Sequence, residues 1–373
     1  MSEQLPYKRI VVKLGTSTIT GRTNSIDYPG LIDLLRQVST LCHEGISVTL
    51  VSSGAIAVGR DALNFPHLSK HIPQKQMLFA VGQPRLMAVY NKILRMYGQN
   101  AAEILLTRND FNQPAHYLNA RNTLNALIDQ NIIPIINEND AISINEMKLG
   151  DNDTLSALVS GLVGADLLIL VTDQKGIYTA NPAEDPNAEL IPVIDTPEIP
   201  EYVRLAAGGS ISGLGTGGMA TKVSAADIAR RMGTAVMVVD GQEPDILIRI
   251  AHGEQPGTLF KPVDSTISWR KRFIMTDFHS GKNYVVVDDG AAKAIVSGRS
   301  LLPAGIKSVH GDFDTGTTIG IITADGKEVG AGVTNYSAED LIRLAGCKTT
   351  QIESILGYTY GDEVIHHDYM VVN

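Results

Sequence analysis

RIVVKLGTS, residues 9–17, decides the reading of this chain. Ile10, Val11 and Val12 form an uninterrupted β-branched run rather than an alternating one, the pattern of a strand buried on both faces of a parallel sheet. The run closes on Lys13 and a turn of small residues, Gly15-Thr16-Ser17. Parallel sheets bind ligands outside the carboxyl ends of their strands, so Lys13 places an ammonium where an anion would sit. A lysine that merely snorkels from the strand end is the alternative. The following turn favours the functional reading, because it adds backbone and hydroxyl donors beside the charge.

Working outward, similar apolar runs recur at Val48 to Val51, Glu103 to Leu106, Ile133 to Asn137, Leu167 to Val171 and Ala235 to Asp240. Helical stretches lie between them, at Pro29 to His43, Lys75 to Tyr97, His116 to Asn131, Thr154 to Gly164 and Thr221 to Met232. This alternation predicts an α/β fold, a mainly parallel sheet with helices on both faces. The pattern breaks over Pro262 to Gly281, where Trp269-Arg270-Lys271-Arg272 fits a linker or an edge strand. Short β runs follow at Asn283 to Val287, Ile306 to Val309, Thr317 to Thr323 and Glu328 to Thr334. Asp325-Gly326 between the last two is a tight-hairpin signal. The predicted domains are residues 1–262, a linker at 263–280, and a small β-rich domain with one or two short helices at 281–373.

Composition sets bounds on this picture. At 373 residues the chain exceeds the roughly 250 to 300 at which single cores stop growing, so two domains are expected. With 44% hydrophobic and 19% charged residues it is an ordinary globular sequence. The N-terminus lacks an apolar stretch behind a basic segment, and the longest apolar run, Ala157 to Thr172, is interrupted by Gly161, Gly164 and Asp166. A cytoplasmic protein without a membrane partner is expected. Cys42 and Cys347 form no metal or redox spacing and read as reduced thiols. A net charge of −9 argues against a nucleic-acid partner, so any phosphate must be held by a few local groups.

Four further segments carry candidate chemistry. Ser52-Ser53-Gly54-Ala55-Ile56-Ala57-Val58-Gly59 runs from strand through small residues into a helix start, and its backbone N–H groups suit a carboxylate or phosphate. Ile136-Asn137-Glu138-Asn139-Asp140 and Gly150-Asp151-Asn152-Asp153 gather carboxylates and amides that need a cation to hold them together. Substrate ammonium, lysine or Mg²⁺ would each serve. Helix capping by Asp151 or Asp153 is compatible with either. Thr172-Asp173-Gln174-Lys175-Gly176 ends a strand and reads as a nucleotide contact or a plain loop. Gly213-Leu214-Gly215-Thr216-Gly217-Gly218-Met219-Ala220-Thr221-Lys222 is an anion-binding loop with a lysine in the first helical turn. Its G-x-G-x-x-G match lacks a preceding strand, so a dinucleotide site is not indicated. His366-His367 carries no assigned role.

In this order, over Lys8 to about Gly257, these segments resemble the amino acid kinase family, and within it the branch acting on glutamate. The C-terminal part, including Leu302-Pro303-Ala304-Gly305-Ile306 and Ile355-Leu356-Gly357-Tyr358, resembles a PUA domain. The resemblance implies a three-layer αβα sandwich. It implies that Lys13, Thr172, Asp173 and the loop Thr216, Gly217, Gly218, Met219, Ala220, Thr221 and Lys222 bind ATP. By the same resemblance Ser53, Asp140 and Asn152 bind glutamate. Lys13 and Lys222 neutralise the transferring phosphoryl group, Asp151 positions the lysines, and Asp153 shapes the substrate site. Mg²⁺ enters with ATP, without firm protein ligands. The implied product is L-glutamyl 5-phosphate, the entry to proline synthesis, with proline as the expected feedback inhibitor. A homo-oligomer, dimer or tetramer, and a transient contact with glutamyl phosphate reductase complete the implied partners.

Two rivals remain open at this point. One is another kinase of the same fold, acting on aspartate, N-acetylglutamate, carbamate or UMP. The other is an RNA-binding protein acting through the PUA-like part. Residues 281–373 hold seven Lys and Arg against twelve Asp and Glu, a net of −5 that opposes tight RNA binding.

Overall fold

The computed structural model describes residues 5–21, 25–64, 72–142, 151–182, 184–208, 218–263 and 283–372. Two compact units divide the chain. The first takes Met1–Arg108 and Thr123–Ser265, the second Asn109–Asn122 and Thr266–Asn373.

The strands of the first unit are β1 (Arg9–Leu14), β2 (Ser47–Ser52), β3 (Asn100–Leu106), β4 (Ile132–Glu138), β5 (Leu167–Thr172), β6 (Val193–Ile194), β7 (Ala235–Asp240) and β8 (Thr258–Phe260). They form one sheet in the order β3-β4-β2-β1-β5-β7-β8-β6. Every pairing is parallel except β7 with β8. The fully apolar strands sit at the centre, because a strand covered on both faces has no side left for polar residues. All six residues of β5 are buried, and β1, β2 and β7 are buried except at one end.

The helices in chain order are α1 (Thr16–Thr20), α2 (Tyr28–His43), α3 (Ala55–Ala62), α4 (Ile72–Met96), α5 (Arg108–Asn112), α6 (Pro114–Asp129), α7 (Asn152–Val163), α8 (Glu201–Ala206), α9 (Met219–Arg231) and α10 (Ile246–Ala251). Local sequence explains their limits. Asp27 caps α2 by accepting from the Gly30 amide at 3.3 Å, with Pro29 in the first turn. Gly164 ends α7 in the left-handed conformation, φ 62°. Between β2 and α3, Gly54 takes φ 90°, which a side chain would resist. Helices α3 and α4 cross in backbone contact. A Cβ built on Gly59 would lie 2.0 Å from the Leu78 carbonyl oxygen, and one on Gly82 would lie 1.8 Å from that of Ala55.

In the second unit β9 (Tyr284–Val287), β10 (Ile306–His310), β11 (Thr318–Thr323), β12 (Glu328–Val333) and β13 (Met370–Val372) form a sheet in the order β10-β9-β11-β12-β13. Helices α11 (Asp289–Val296), α12 (Ala338–Leu344) and α13 (Ile352–Leu356) accompany it. The expected hairpin joins β11 to β12 as an antiparallel pair, with Gly326 at φ 83°. Val285, Val287, Ile319, Ile321, Leu341 and Tyr336 belong to the core of this unit, and the Tyr336 hydroxyl meets the Gly361 carbonyl at 2.6 Å. Of the segment expected to be a linker, 263–280, residues 264–280 lie outside the described residues. Among the described residues no helix is long and apolar enough to cross a membrane.

Candidate active site

Sheet order reverses at β1. The chain first runs out through β2 to β4 and β3, then returns through β5 to the other side of β1. A crevice outside the carboxyl ends of β1, β2 and β5 follows from that reversal. Lys13, one residue from the end of β1, pairs in register with Val51 on one side and Leu170 on the other.

Into this crevice α7 inserts its first turn. Asp151 is the N-cap, its Oδ1 accepting from the Thr154 amide at 2.7 Å. That phase turns Asp153, two residues on, inward to full burial. The Lys13 Nζ lies 2.6 Å from Asp153 Oδ1 and the Lys222 Nζ lies 3.2 Å from Oδ2. The Thr221 hydroxyl also meets Oδ2, at 2.8 Å. One buried carboxylate therefore bridges two buried ammonium groups, one from the central strand β1 and one from the first turn of α9. Burial alone pushes the Asp153 carboxyl up, but Lys13 and Lys222, with hydrogen bonds from Lys13 and Thr221, outweigh it and hold the group below the ordinary carboxylate range. Burial lowers the pKa of Lys13, the nearby Lys222 lowers it further, and Asp153 opposes both.

A second polar group lies at the ends of β2 and β4. The Asn152 Nδ2 donates to the Ser52 carbonyl and the Ser53 hydroxyl, both at 2.9 Å, and to Asn137 Oδ1 at 3.0 Å. Ser52 in turn meets the Tyr90 hydroxyl at 2.9 Å. Asp140 stands two residues beyond β4, its amide bonded to the Glu138 carbonyl at 2.9 Å. On the other side of β1, the Thr172 hydroxyl donates to Asp173 Oδ1 at 3.3 Å at the end of β5. A cavity of about 630 Å³ opens beyond it, lined by Gln174, Tyr178, Asn181, Tyr202, Leu205 and Met219 among others. Its mixed apolar and amide lining suits a flat heterocycle with a polar rim. The arrangement thus offers a hydrogen-bonded amide group at the ends of β2 and β4, a pair of buried cations on Asp153, and a half-apolar cavity beyond β5.

The model of the amino acid kinase family matches residues 8–240, and that of the PUA domain matches residues 283–356. The chain belongs to the amino acid kinase family. Curated relatives of this kinase include proteins named glutamate 5-kinase. That of Shewanella oneidensis is 46% identical over 370 residues, covering 99% of each chain. That of Deinococcus radiodurans is 45% identical, over 98% of this chain and 99% of its own. That of Vibrio campbellii is 47% identical, over 97% and 95%.

The structure joins Lys13, Asp153, Thr221 and Lys222 in one cluster and Ser53 with Asn152 in another. Asp151 was expected to position the lysines and Asp153 to shape the substrate site; the structure puts Asp153 between the lysines, while Asp151 caps α7 and its charge still acts on Lys13. The physical reason is helix phase, since a capping residue points along the helix start while the second helical residue here faces the core. Gly218, Met219, Ala220, Thr221 and Lys222 are described at the start of α9, whereas Thr216, Gly217 and Gly150 lie outside the described residues. Gln83 and Tyr90 were not singled out, yet they hold Asn137, from one of the candidate segments, and Ser52 beside Asn152. A buried glutamine inside an otherwise amphipathic helix leaves no periodic signal.

Proposed function

We propose that this kinase transfers the γ-phosphoryl group of ATP to the side-chain carboxylate of L-glutamate, giving L-glutamyl 5-phosphate and ADP, the first step of proline synthesis. The observation that carries this reading is the pair of buried ammonium groups, Lys13 and Lys222, held on one buried carboxylate. A glutamate carboxylate ionises near pH 4.3, so it arrives as the nucleophile and needs no general base. What it needs is relief from repulsion by the phosphates, in-line placement, and stabilisation of the charge on the moving group. Lys13 and Lys222 supply the charge, and Asp153 holds them at a fixed spacing.

In this reading Ser53, Asn152 and Asp140 receive glutamate, with Asp140 and the Asn152 carbonyl matching its ammonium. Thr172, Asp173 and the loop from Thr216 to Lys222 receive the phosphates, and the 630 Å³ cavity takes the nucleobase. Mg²⁺ fits as a companion of the nucleotide, for Asp153 is already engaged by two lysines and Thr221 while the phosphates supply hard oxygen ligands. When bound, the ion neutralises phosphate charge. Residues 1–262 make up the kinase domain, 263–280 the linker and 281–373 the PUA-like domain. Proline acts as feedback inhibitor by competing for the glutamate contacts. A homo-oligomer, and a transient contact that passes the labile acyl phosphate to glutamyl phosphate reductase, belong to the same reading.

Hydroxylamine trapping tests it. Purified protein with Mg-ATP should give hydroxamate from L-glutamate and none from L-aspartate or N-acetyl-L-glutamate, with proline suppressing the signal. Turnover of another acid instead would leave the kinase and move the substrate. Lys222→Ala is expected to lower kcat by at least ~100-fold, the scale lost with one preorganised charge-stabilising group. An unchanged kcat in single-turnover measurements would remove Lys222 from the transition state.

A further inference from the structure

Helix α4 sends a buried amide toward the substrate pocket. Gln83 is 4% exposed. Its Nε2 donates to Glu103 Oε1 at 2.6 Å, and its Oε1 accepts from Asn137 Nδ2 at 2.9 Å. Asn137 Oδ1 accepts from the Glu138 amide at 2.9 Å and from Asn152 Nδ2 at 3.0 Å. Four side chains from β3, α4, β4 and α7 thus form one chain of hydrogen bonds.

Only one polarity satisfies every member. The Glu103 carboxylate, exposed on the outer strand β3, has no proton to give at neutral pH, so Gln83 must turn its nitrogen toward it. The Glu138 amide can only donate, which fixes Asn137 Oδ1 on its side. The Ser52 carbonyl can only accept, which fixes Asn152 Nδ2. Among the described residues Asn152 Oδ1 accepts no hydrogen bond. The chain ends in an acceptor.

We propose that Gln83 is a positioning residue for the acid substrate: by holding Asn137 it keeps Asn152 turned so that its carbonyl is offered to the substrate's free ammonium. This rests on the glutamate reading above and adds a residue that touches neither substrate nor phosphate. Loss of the relay leaves Asn137 buried and short of a partner, and Asn152 free to rotate. The nucleotide side of β1 has no member in the chain and is unaffected.

Gln83→Leu is expected to raise KM for glutamate about tenfold or more, the effect of one unsatisfied buried amide, while KM for ATP stays within about twofold. A general loosening of the fold would move both constants. The exchange variant Gln83→Glu with Glu103→Gln supplies the control. There the amide at position 103 donates to the carboxylate at position 83, which accepts from Asn137, so the polarity is kept. Its KM for glutamate should return to within about threefold of the unaltered value. If Gln83→Leu does not fold, Gln83→Glu alone, which sets two carboxylates face to face, takes its place and should be rescued by the same exchange. Equal rises in both KM values, or an exchange variant as impaired as the single one, would overturn the proposal. If the unaltered chain turns over no glutamate, the reaction assignment fails. The relay is then read from hydrogen exchange of the Glu138 amide, expected to quicken in Gln83→Leu and recover in the exchange variant. Unchanged exchange would overturn the relay by itself.

Discussion

Asp153→Asn is expected to lower kcat by at least ~1,000-fold, more than loss of either lysine, and to destabilise the first unit by roughly 3–5 kcal/mol. The substitution keeps the shape of the side chain and removes its charge. Lys13 and Lys222 are then two buried ammonium groups in one space without the carboxylate that now bridges them at 2.6 and 3.2 Å. Breaking one partner of such a cluster leaves uncompensated buried charge, and the cluster relieves it by releasing a proton from one lysine. A neutral lysine cannot stabilise the transferring phosphoryl group, so the rate falls with the charge.

pH dependence separates this from a packing defect. The Asp153 carboxyl is held below its ordinary value in the folded protein, so its stabilisation is complete above the unfolded value, about 3.8. It is lost as pH falls through the lower folded value. Stability curves of the variant and the unaltered protein should therefore differ at pH 7 and converge in strong acid. Lys13 shifts downward, so the unaltered rate should decline on the alkaline side below pH 10.5, and Asp153→Asn should move that limb to still lower pH. An alkaline limb that stays in place would count against the charge argument whatever happens to kcat.

Gly82→Ala should reverse the usual effect of adding a methyl group to a helix. In an open helix interior the change stabilises by about 1 kcal/mol. Here the new Cβ would lie 1.8 Å from the Ala55 carbonyl oxygen and 2.5 Å from the Gly59 nitrogen, with backbone rather than pliable side chain in the way. Helices α3 and α4 must separate, and an overpacking cost of roughly 3 kcal/mol or more follows. Calorimetry reads the loss directly. The separation also withdraws Gln83 and Tyr90, two turns apart on α4, from Asn137 and Ser52. KM for glutamate should rise more than KM for ATP. A Tm equal to or above that of the unaltered protein would show that the two helices tolerate the wider spacing.

Much of the fold was legible because β1, β2, β5 and β7 are buried on both faces, and such strands must be written in Ile, Leu and Val. The elements that escaped reading were short. Thr16–Thr20 is too brief and too rich in β-branched residues to announce a helix, and β6 and β8 have two and three residues. In the site, Lys13 was readable from its place at a strand end, and the GDND run from its density of carboxylates. Which aspartate faced the lysines was not, because that depends on where α7 begins, a question of one or two residues. Gln83 was invisible for a different reason. Its role comes from Glu103 and Asn137, twenty and fifty-four positions away, and no local pattern records such partners.

Strand β1 stands between two halves with separate work. β2, β4 and α4 shape the amide group on one side, and β5 with Thr172 and Asp173, to which the proposed function gives the phosphates, lies on the other, with Lys13 on the strand between them. The halves meet at β1 and at the first turn of α7, where Asn152 joins the amide group and Asp153 the lysines, so the elements beyond those two can diverge on one side while the other stays fixed. The same layout offers an engineer a seam: acceptor-side loops from a relative acting on a different carboxylate can be transplanted up to β1 and the start of α7, with Asp153 kept so that the two lysines stay bridged.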